Sequence, residues 1–312
     1  ASRPGPYAPA FFCGPPRGSF FSLRFAAVQG RYQHKDFTMS GSLRTGVFVD
    51  AENVRYNGGY HMRYDVLRQF VSRGGRNPSR LNTYVTFDAE RAAEDSEFAR
   101  KAHGYQQAAR QFGWKVITRQ VRRFTDSNGH TITRTGSRVD LAVDALTQGA
   151  RLDDVLLVTG DGDLVPLVSA LQDRGCRVEI LGFDNVSRAL QRQADGFHAG
   201  FLVPDLVPIS YEPRNLWGEP GSCVRGVCTK WFPDKGYGFL RFLGHLSDQD
   251  WLCDPRLPGS PWRSVFCHIN EVAGDINEDD LLGGDTVLEF YVQESPQEEG
   301  GLVAQNVRLV QE

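Results

Sequence analysis

Carboxylates stand where two apolar runs of this chain stop, and two more lie inside an apolar helical pattern. Gly160-Asp161-Gly162-Asp163 follows the run Val155 to Thr159 and precedes the amphipathic pattern Leu164, Leu167, Val168, Leu171. Asp50 ends the run GVFVD at 46–50, with Glu52 and Asn53 directly after it. Asp140 and Asp144 lie four residues apart in VDLAVDALTQ (139–148), so a helix puts them on one face. In open α/β sheets ligands bind outside the carboxyl ends of the strands. Carboxylates gathered there repel one another unless a cation sits between them, and hard divalent ions with oxygen ligands, Mg2+ or Mn2+, meet that need. The competing reading is local: Asp163 caps a helix, Asp161 and the Asp50 to Asn53 segment shape turns, and Asp140 and Asp144 form a solvated acidic face.

A second set of residues suits contact with nucleic acid. Residues 119–138 carry Arg119, Arg122, Arg123, Arg134 and Arg138 against Asp126 alone, and Asn128-Gly129 marks a hairpin between two arms. Such a hairpin holds a phosphate backbone, or else is an ordinary solvated surface. Further on, Trp231, Phe232, Tyr237, Phe239 and Phe266 cluster in a strand-rich region. Alternation along a strand places Tyr237 and Phe239 on one face, and Gly236 and Gly238 leave that face open to a flat ligand. With Lys230, Lys235 and His268 beside them, these rings suit base stacking, with Phe232 partly packed. The opposing reading makes the rings barrel core.

The elements that must position these groups are legible. Strand-like runs at 46–50, 81–87, 115–118, 155–159, 177–181 and 201–203 alternate with helical patterns at 62–73, 92–112, 139–148, after Asp163, and 186–194. That order predicts a mostly parallel sheet with helices on both faces. Residues 206–222 are rich in Pro and Gly and are expected to be a linker. Beyond them, 224–232, 238–242, 265–268, 286–292 and 302–309 predict a small five-stranded β-barrel of the oligonucleotide-binding type.

Composition narrows the classes. No apolar run approaches the ~18 residues of a membrane span, so no membrane partner is expected. The six cysteines (13, 176, 223, 228, 253, 267) form no Cys-x-x-Cys pair and read as reduced thiols of an intracellular, cytoplasmic protein. Net charge is −3, which excludes a general basic footprint. Residues 44–210 are nearly balanced, whereas 223–312 carry 15 acidic side chains against 7 basic ones. If that second part binds nucleic acid, stacking must outweigh phosphate neutralisation. Residues 1–43, rich in Pro, Gly, Phe, Ser and Arg, are expected to be a disordered leader, an organelle transit peptide at 1–38 being the alternative.

VFVDAEN (47–53), GSRVDLAVDAL (136–146) and VTGDGDLVPLV (158–168) resemble, in order, the motifs of the NYN family of PIN-like, LabA-like nucleases. The resemblance covers most of 44–205. It implies a PIN-like three-layer α/β fold whose metal-binding and catalytic carboxylates are Asp50, Asp140, Asp161 and Asp163, supported by Asn53 and Asp144. GVCTKWFPDKGYGFL (226–240), VFCHI (265–269) and AQNVRLV (304–310) resemble a cold-shock domain (223–312). One departure is the long segment Leu240 to Ser264, with Trp251 and Trp262, where that family has a shorter link. Together these resemblances imply a Mg2+- or Mn2+-dependent endoribonuclease that leaves a 5′-phosphate. The barrel delivers single-stranded RNA, with single-stranded DNA the other candidate substrate. The alternatives are a non-catalytic RNA-binding regulator and a phosphatase. The latter needs an Asp-x-Asp pair on the first strand, where Asp50 is followed by Ala51-Glu52-Asn53.

Overall fold

Strand β1 (Leu43–Asp50) is buried continuously from Thr45 to Asp50, which requires cover on both faces. The computed structural model describes residues 42–125, 131–134, 136–209, 215–248, 254–284, 286–297 and 300–310. Most of the leader, the hairpin turn at Asn128-Gly129 and Trp251 lie outside the described residues.

After β1 come α1 (Ala51–Tyr56), α2 (Tyr64–Val71), β2 (Arg76–Phe87), α3 (Ala89–Glu94), α4 (Ser96–Gln111) and β3 (Lys115–Gln120). The hairpin strands β4 (Arg122–Thr125) and β5 (Thr131–Arg134) precede α5 (Ser137–Gly149). The chain continues with β6 (Asp154–Val158), α6 (Val165–Gln172), β7 (Arg177–Gly182), α7 (Arg188–Gln193) and β8 (Gly196–Ala199). The main sheet has six strands in the order β3-β2-β1-β6-β7-β8, and every pairing in it is parallel. Period-two alternation sorts its side chains. Val47, Val49, Leu156 and Val158 pack with Tyr64, Leu67 and Phe70 of α2 and Ala109 of α4. Phe48, Tyr84 and Leu157 pack with Leu141 and Ala145 of α5 and Leu167, Val168 and Leu171 of α6. The result is the expected three layers. The chain winds outward from β1 to β3, then returns to β6 and winds the other way. The crevice between the carboxyl ends of β1 and β6 is therefore the topological switch point, where such sheets bind ligands.

Two local expectations need correction. The last strand is β8 at 196–199, paired with β7, and the run expected as a strand at 201–203 starts in a 3-10 turn, Gly200–Leu202. Phe201 and Val203 are apolar because they are buried in the first core cluster, whereas the edge strand is half exposed and carries no apolar signal. A short helix, α1, follows Asp50 directly, because the Asp50 carboxylate accepts from the Asn53 N–H and caps it. The long helix expected at 92–112 is broken at Asp95, which caps α4 through the Phe98 N–H.

The C-terminal strands are β9 (Cys223–Phe232), β10 (Tyr237–Leu243), β11 (Trp262–His268), β12 (Val287–Glu294) and β13 (Leu302–Leu309), with the short helix α8 (Glu278–Leu282) before β12. They close into a barrel in the order β10-β11-β13-β12-β9. All pairings are antiparallel except β11 with β13. Val224, Leu240, Phe242, Val265, Phe290 and Val292 fill it. The stretch read as a linker starts with Leu206 and Val207, which belong to the core of the first domain. The Val207 carbonyl accepts from Arg225 of β9 at 2.9 Å, so the barrel meets the segment that follows the parallel sheet through a buried polar contact.

Candidate active site and nucleic-acid interface

Asp50, at the end of β1, is 2% exposed. Its Oδ1 accepts from the Asn53 N–H at 3.2 Å, and its Oδ2 is buried without a hydrogen-bond partner among the described residues. Burial raises its pKa to about 6, opposed by the Asn53 N–H and the Arg138 guanidinium and reinforced by Glu52 and Asp161. Asn53, one turn into α1, accepts from the Gly160 N–H at 2.7 Å through Oδ1. It thereby ties the end of β1 to the end of β6. Asp161 turns its carboxylate back on its own loop, accepting from the Asp163 N–H at 3.0 Å. A Cβ at Gly162 in that loop would lie 2.7 Å from Ser187 Oγ, so a larger residue there would have to turn that hydroxyl aside.

The six carboxylates and amides of the expected centre do not converge. Asp50 and Asp161 sense one another directly. Arg138 pairs with Asp161 and reaches Asp163 at 3.7 Å, but the Asp163 side chain is 89% exposed. Asp140 pairs with Arg119, which holds its carboxyl below the usual range. Asp144 accepts from the Tyr84 hydroxyl at 2.9 Å. Among the described residues, no three His, Cys, Asp or Glu side chains are grouped to hold a metal ion.

Four residues of this neighbourhood were not selected from the sequence. Arg138 and Arg119 were read only as part of a basic hairpin, and Glu52 as part of a turn. A signal existed for Arg138: a cation in the first turn of α5 opposes the helix dipole and so needs a partner elsewhere. Tyr84 lies opposite Asp50 in the β1–β2 register. Burial pushes its phenol well above the usual range, and Asp144 adds to that. A buried Tyr within an apolar strand is a request for a polar partner.

On the barrel, alternation puts Val265 and Cys267 inside and Phe266 and His268 outside. Phe239 is 37% and Phe266 36% exposed, with ring centroids 6.0 Å apart. Tyr237 lies 5.5 Å from Phe266 and Phe232 5.2 Å from Tyr237. Lys230 stands 4.6 Å and Lys235 5.7 Å from the Phe232 ring. His268 is exposed, its Nδ1 accepting from the Asn270 N–H. Trp231 does not belong to this face. It is 6% exposed and packed in the barrel core, against Gly238, where any Cβ would collide with its ring. The glycine that was read as opening the face in fact admits the tryptophan. Arg122 is exposed on β4, while Arg123 is engaged by Asp88 and Glu90.

The family model of the NYN domain matches residues 44–204, and the chain belongs to the NYN family. The NYN domain is typically a nuclease fold, and nucleases of the family are generally divalent-metal dependent. No curated protein matches the chain. Among solved structures, a protein of unknown function from Vibrio parahaemolyticus is 24% identical over 51% of this chain and 93% of its own, with a TM-score of 0.40. Among the described residues, no helix is long and apolar enough to cross a membrane.

Proposed function

We propose that this protein is a divalent-metal-dependent endoribonuclease acting on single-stranded RNA. In this reading residues 44–205 cut, and a cold-shock-like barrel, joined through 206–222, holds the strand. The observation that carries it is the Asp50 Oδ2: a buried carboxylate oxygen without a partner, beside Asp161, at the switch point of an NYN sheet. A polar atom left so costs free energy unless a cation of suitable chemistry belongs there. The donor set fits Mg2+ or Mn2+. Asp50 and Asp161 would hold the ion, with Asp140 and Asp163 joining as their arginine contacts open. Those contacts are half exposed on the arginine side, and exposed ion pairs are worth only ~0–1 kcal/mol. A bound ion supplies Lewis acidity at the scissile phosphate and lowers the pKa of its water. Asn53 keeps the ends of β1 and β6 in register, and Tyr84 fixes Asp144. Arg138 and Arg119, once released, are cations at the place where a phosphate arrives.

The assay is cleavage of a labelled single-stranded RNA by the intact chain, with and without Mg2+ or Mn2+. Endonucleolytic products that need the metal are expected, and Asp161→Asn should slow them at least about a hundredfold while leaving the fold intact. Metal-independent cleavage, or full activity in that variant, removes the assignment. The second reading, a non-catalytic RNA-binding regulator, is favoured by the pairing of Asp161 and Asp140 with arginines. It is chosen if RNA is bound but never cut.

On the barrel, Phe239→Ala should weaken binding of single-stranded RNA by one to two orders of magnitude, as loss of a stacked base worth about 1–3 kcal/mol does. Its melting temperature should stay nearly unchanged because the ring is exposed. Phe242→Ala, fully buried, should instead cost about 3–5 kcal/mol of stability. Early melting in both variants would show that the outer ring is structural.

A further inference from the structure

The segment directly after Asp50 and α1 carries aromatic rings that stand largely in solvent. Tyr56 is 70% and Tyr60 53% exposed, the two most exposed aromatic rings among the described residues, more so than those of the barrel face. The Arg55 guanidinium lies 5.8 Å from both ring centroids, and His61 is 4.0 Å from Tyr60.

The segment is pinned in place. The Gly59 N–H donates to the Val54 carbonyl at 2.9 Å, and the Asp184 N–H donates to the Asn57 carbonyl at 3.0 Å. Asn185 donates to Asn57 Oδ1 at 3.3 Å. Gly58 has a φ of 82°, and a Cβ there would lie 2.6 Å from the Phe201 ring. His61 holds a left-handed φ of 66°, a conformation a non-glycine residue keeps only where its surroundings enforce it. Asp50 caps the helix that ends at Tyr56, so the two Cα atoms stand about 9 Å apart along its axis.

We infer that Arg55, Tyr56, Tyr60 and His61 form a nucleobase-stacking platform on the NYN domain that holds the strand next to the acidic centre. The inference rests on the nuclease reading for the identity of its ligand, single-stranded RNA. Exposed rings offer π-faces to bases, and cations beside them attract the phosphates. The barrel face and this platform are then two stacking sites on one strand, the second one setting which bases flank the cut.

The test uses the full chain with Phe239→Ala, so that the barrel does not mask the effect, and a labelled oligouridylate in EDTA, so that no cleavage intervenes. Tyr56→Ala and Tyr60→Ala are each expected to weaken binding about tenfold, with unchanged melting temperatures. Tyr56→Phe and Tyr60→Phe should retain the affinity, because stacking needs the ring and not the hydroxyl. Unchanged affinity in both alanine variants overturns the platform even if the wild-type chain cleaves RNA. Lost affinity in a chain that never cleaves with Mn2+ keeps the platform and removes the nuclease reading. Loss of a sedimenting dimer in the alanine variants, at unchanged RNA affinity, would assign the rings to self-association instead and overturn the inference.

Discussion

Asp50→Asn is expected to abolish metal-dependent cleavage and, in the same protein freed of metal, to raise the melting temperature at neutral pH. The two effects share one cause. Asp50 is buried at the switch point with one oxygen unpartnered, which is useful to a cation and costly without one. Removing a charged ligand should slow catalysis by at least about a hundredfold, roughly 2.7 kcal/mol of transition-state stabilisation. The stability effect follows from the pKa. The folded value, about 6, lies above the ordinary 3.8, so the native state binds the extra proton between those values. Stability therefore falls as pH rises through that window and stays lower above it. At about 1.36 kcal/mol per unit the penalty reaches roughly 3 kcal/mol as an upper limit. The asparagine variant carries no such penalty. Thermal melts in EDTA across pH 4 to 8 should show the variant gaining on the wild type as pH rises, most steeply near pH 5. Parallel curves would show that Asp50 is not strained by burial, and normal cleavage by the variant would remove it from the centre.

Arg225→Ala should destabilise the whole chain by about 3 kcal/mol, the lower end of what breaking a buried ion pair costs. Arg225 and Glu289 face one another across β9 and β12, bonded at 3.0 Å with side chains only 6% and 3% exposed. Arg308 holds the other Glu289 oxygen at 2.8 Å, which spares the glutamate complete isolation and sets the estimate low. The variant also deprives the Val207 carbonyl of its donor and the Phe201 ring of the guanidinium 5.3 Å away. Glu289→Gln in the same chain should recover part of the loss, since it removes the charge left short of a partner. Denaturant unfolding of the single and double variants decides this. A loss below about 0.5 kcal/mol would mean that the contact behaves like an exposed pair.

The strand-end carboxylates and most of the frame were legible because they follow local rules. Val155 to Val158 and Val47 to Val49 had to be doubly covered strands, since an unbroken apolar run is what burial on both faces requires. Their carboxyl ends had to carry whatever the domain binds, and Asp50 and Asp161 stand there. Period-two alternation sent Phe239 and Phe266 outward and Leu240 and Val265 inward. The edge strand β8 was misplaced because an edge needs little burial, and apolar content is the only signal that alternation reads.

By itself the sequence determined the parallel character and five of the six strands of the sheet, the five barrel strands and the strand-end location of Asp50 and Asp161, because each is a matter of local period and punctuation. Tertiary structure alone decided which charges meet. It paired Arg138 with Asp161, Arg119 with Asp140 and Tyr84 with Asp144. It drew Trp231 into the barrel over Gly238 and laid Val207 across Arg225. These contacts join residues brought together by topology, and charge or size along the chain does not state which distant partner will satisfy a buried or repelling group.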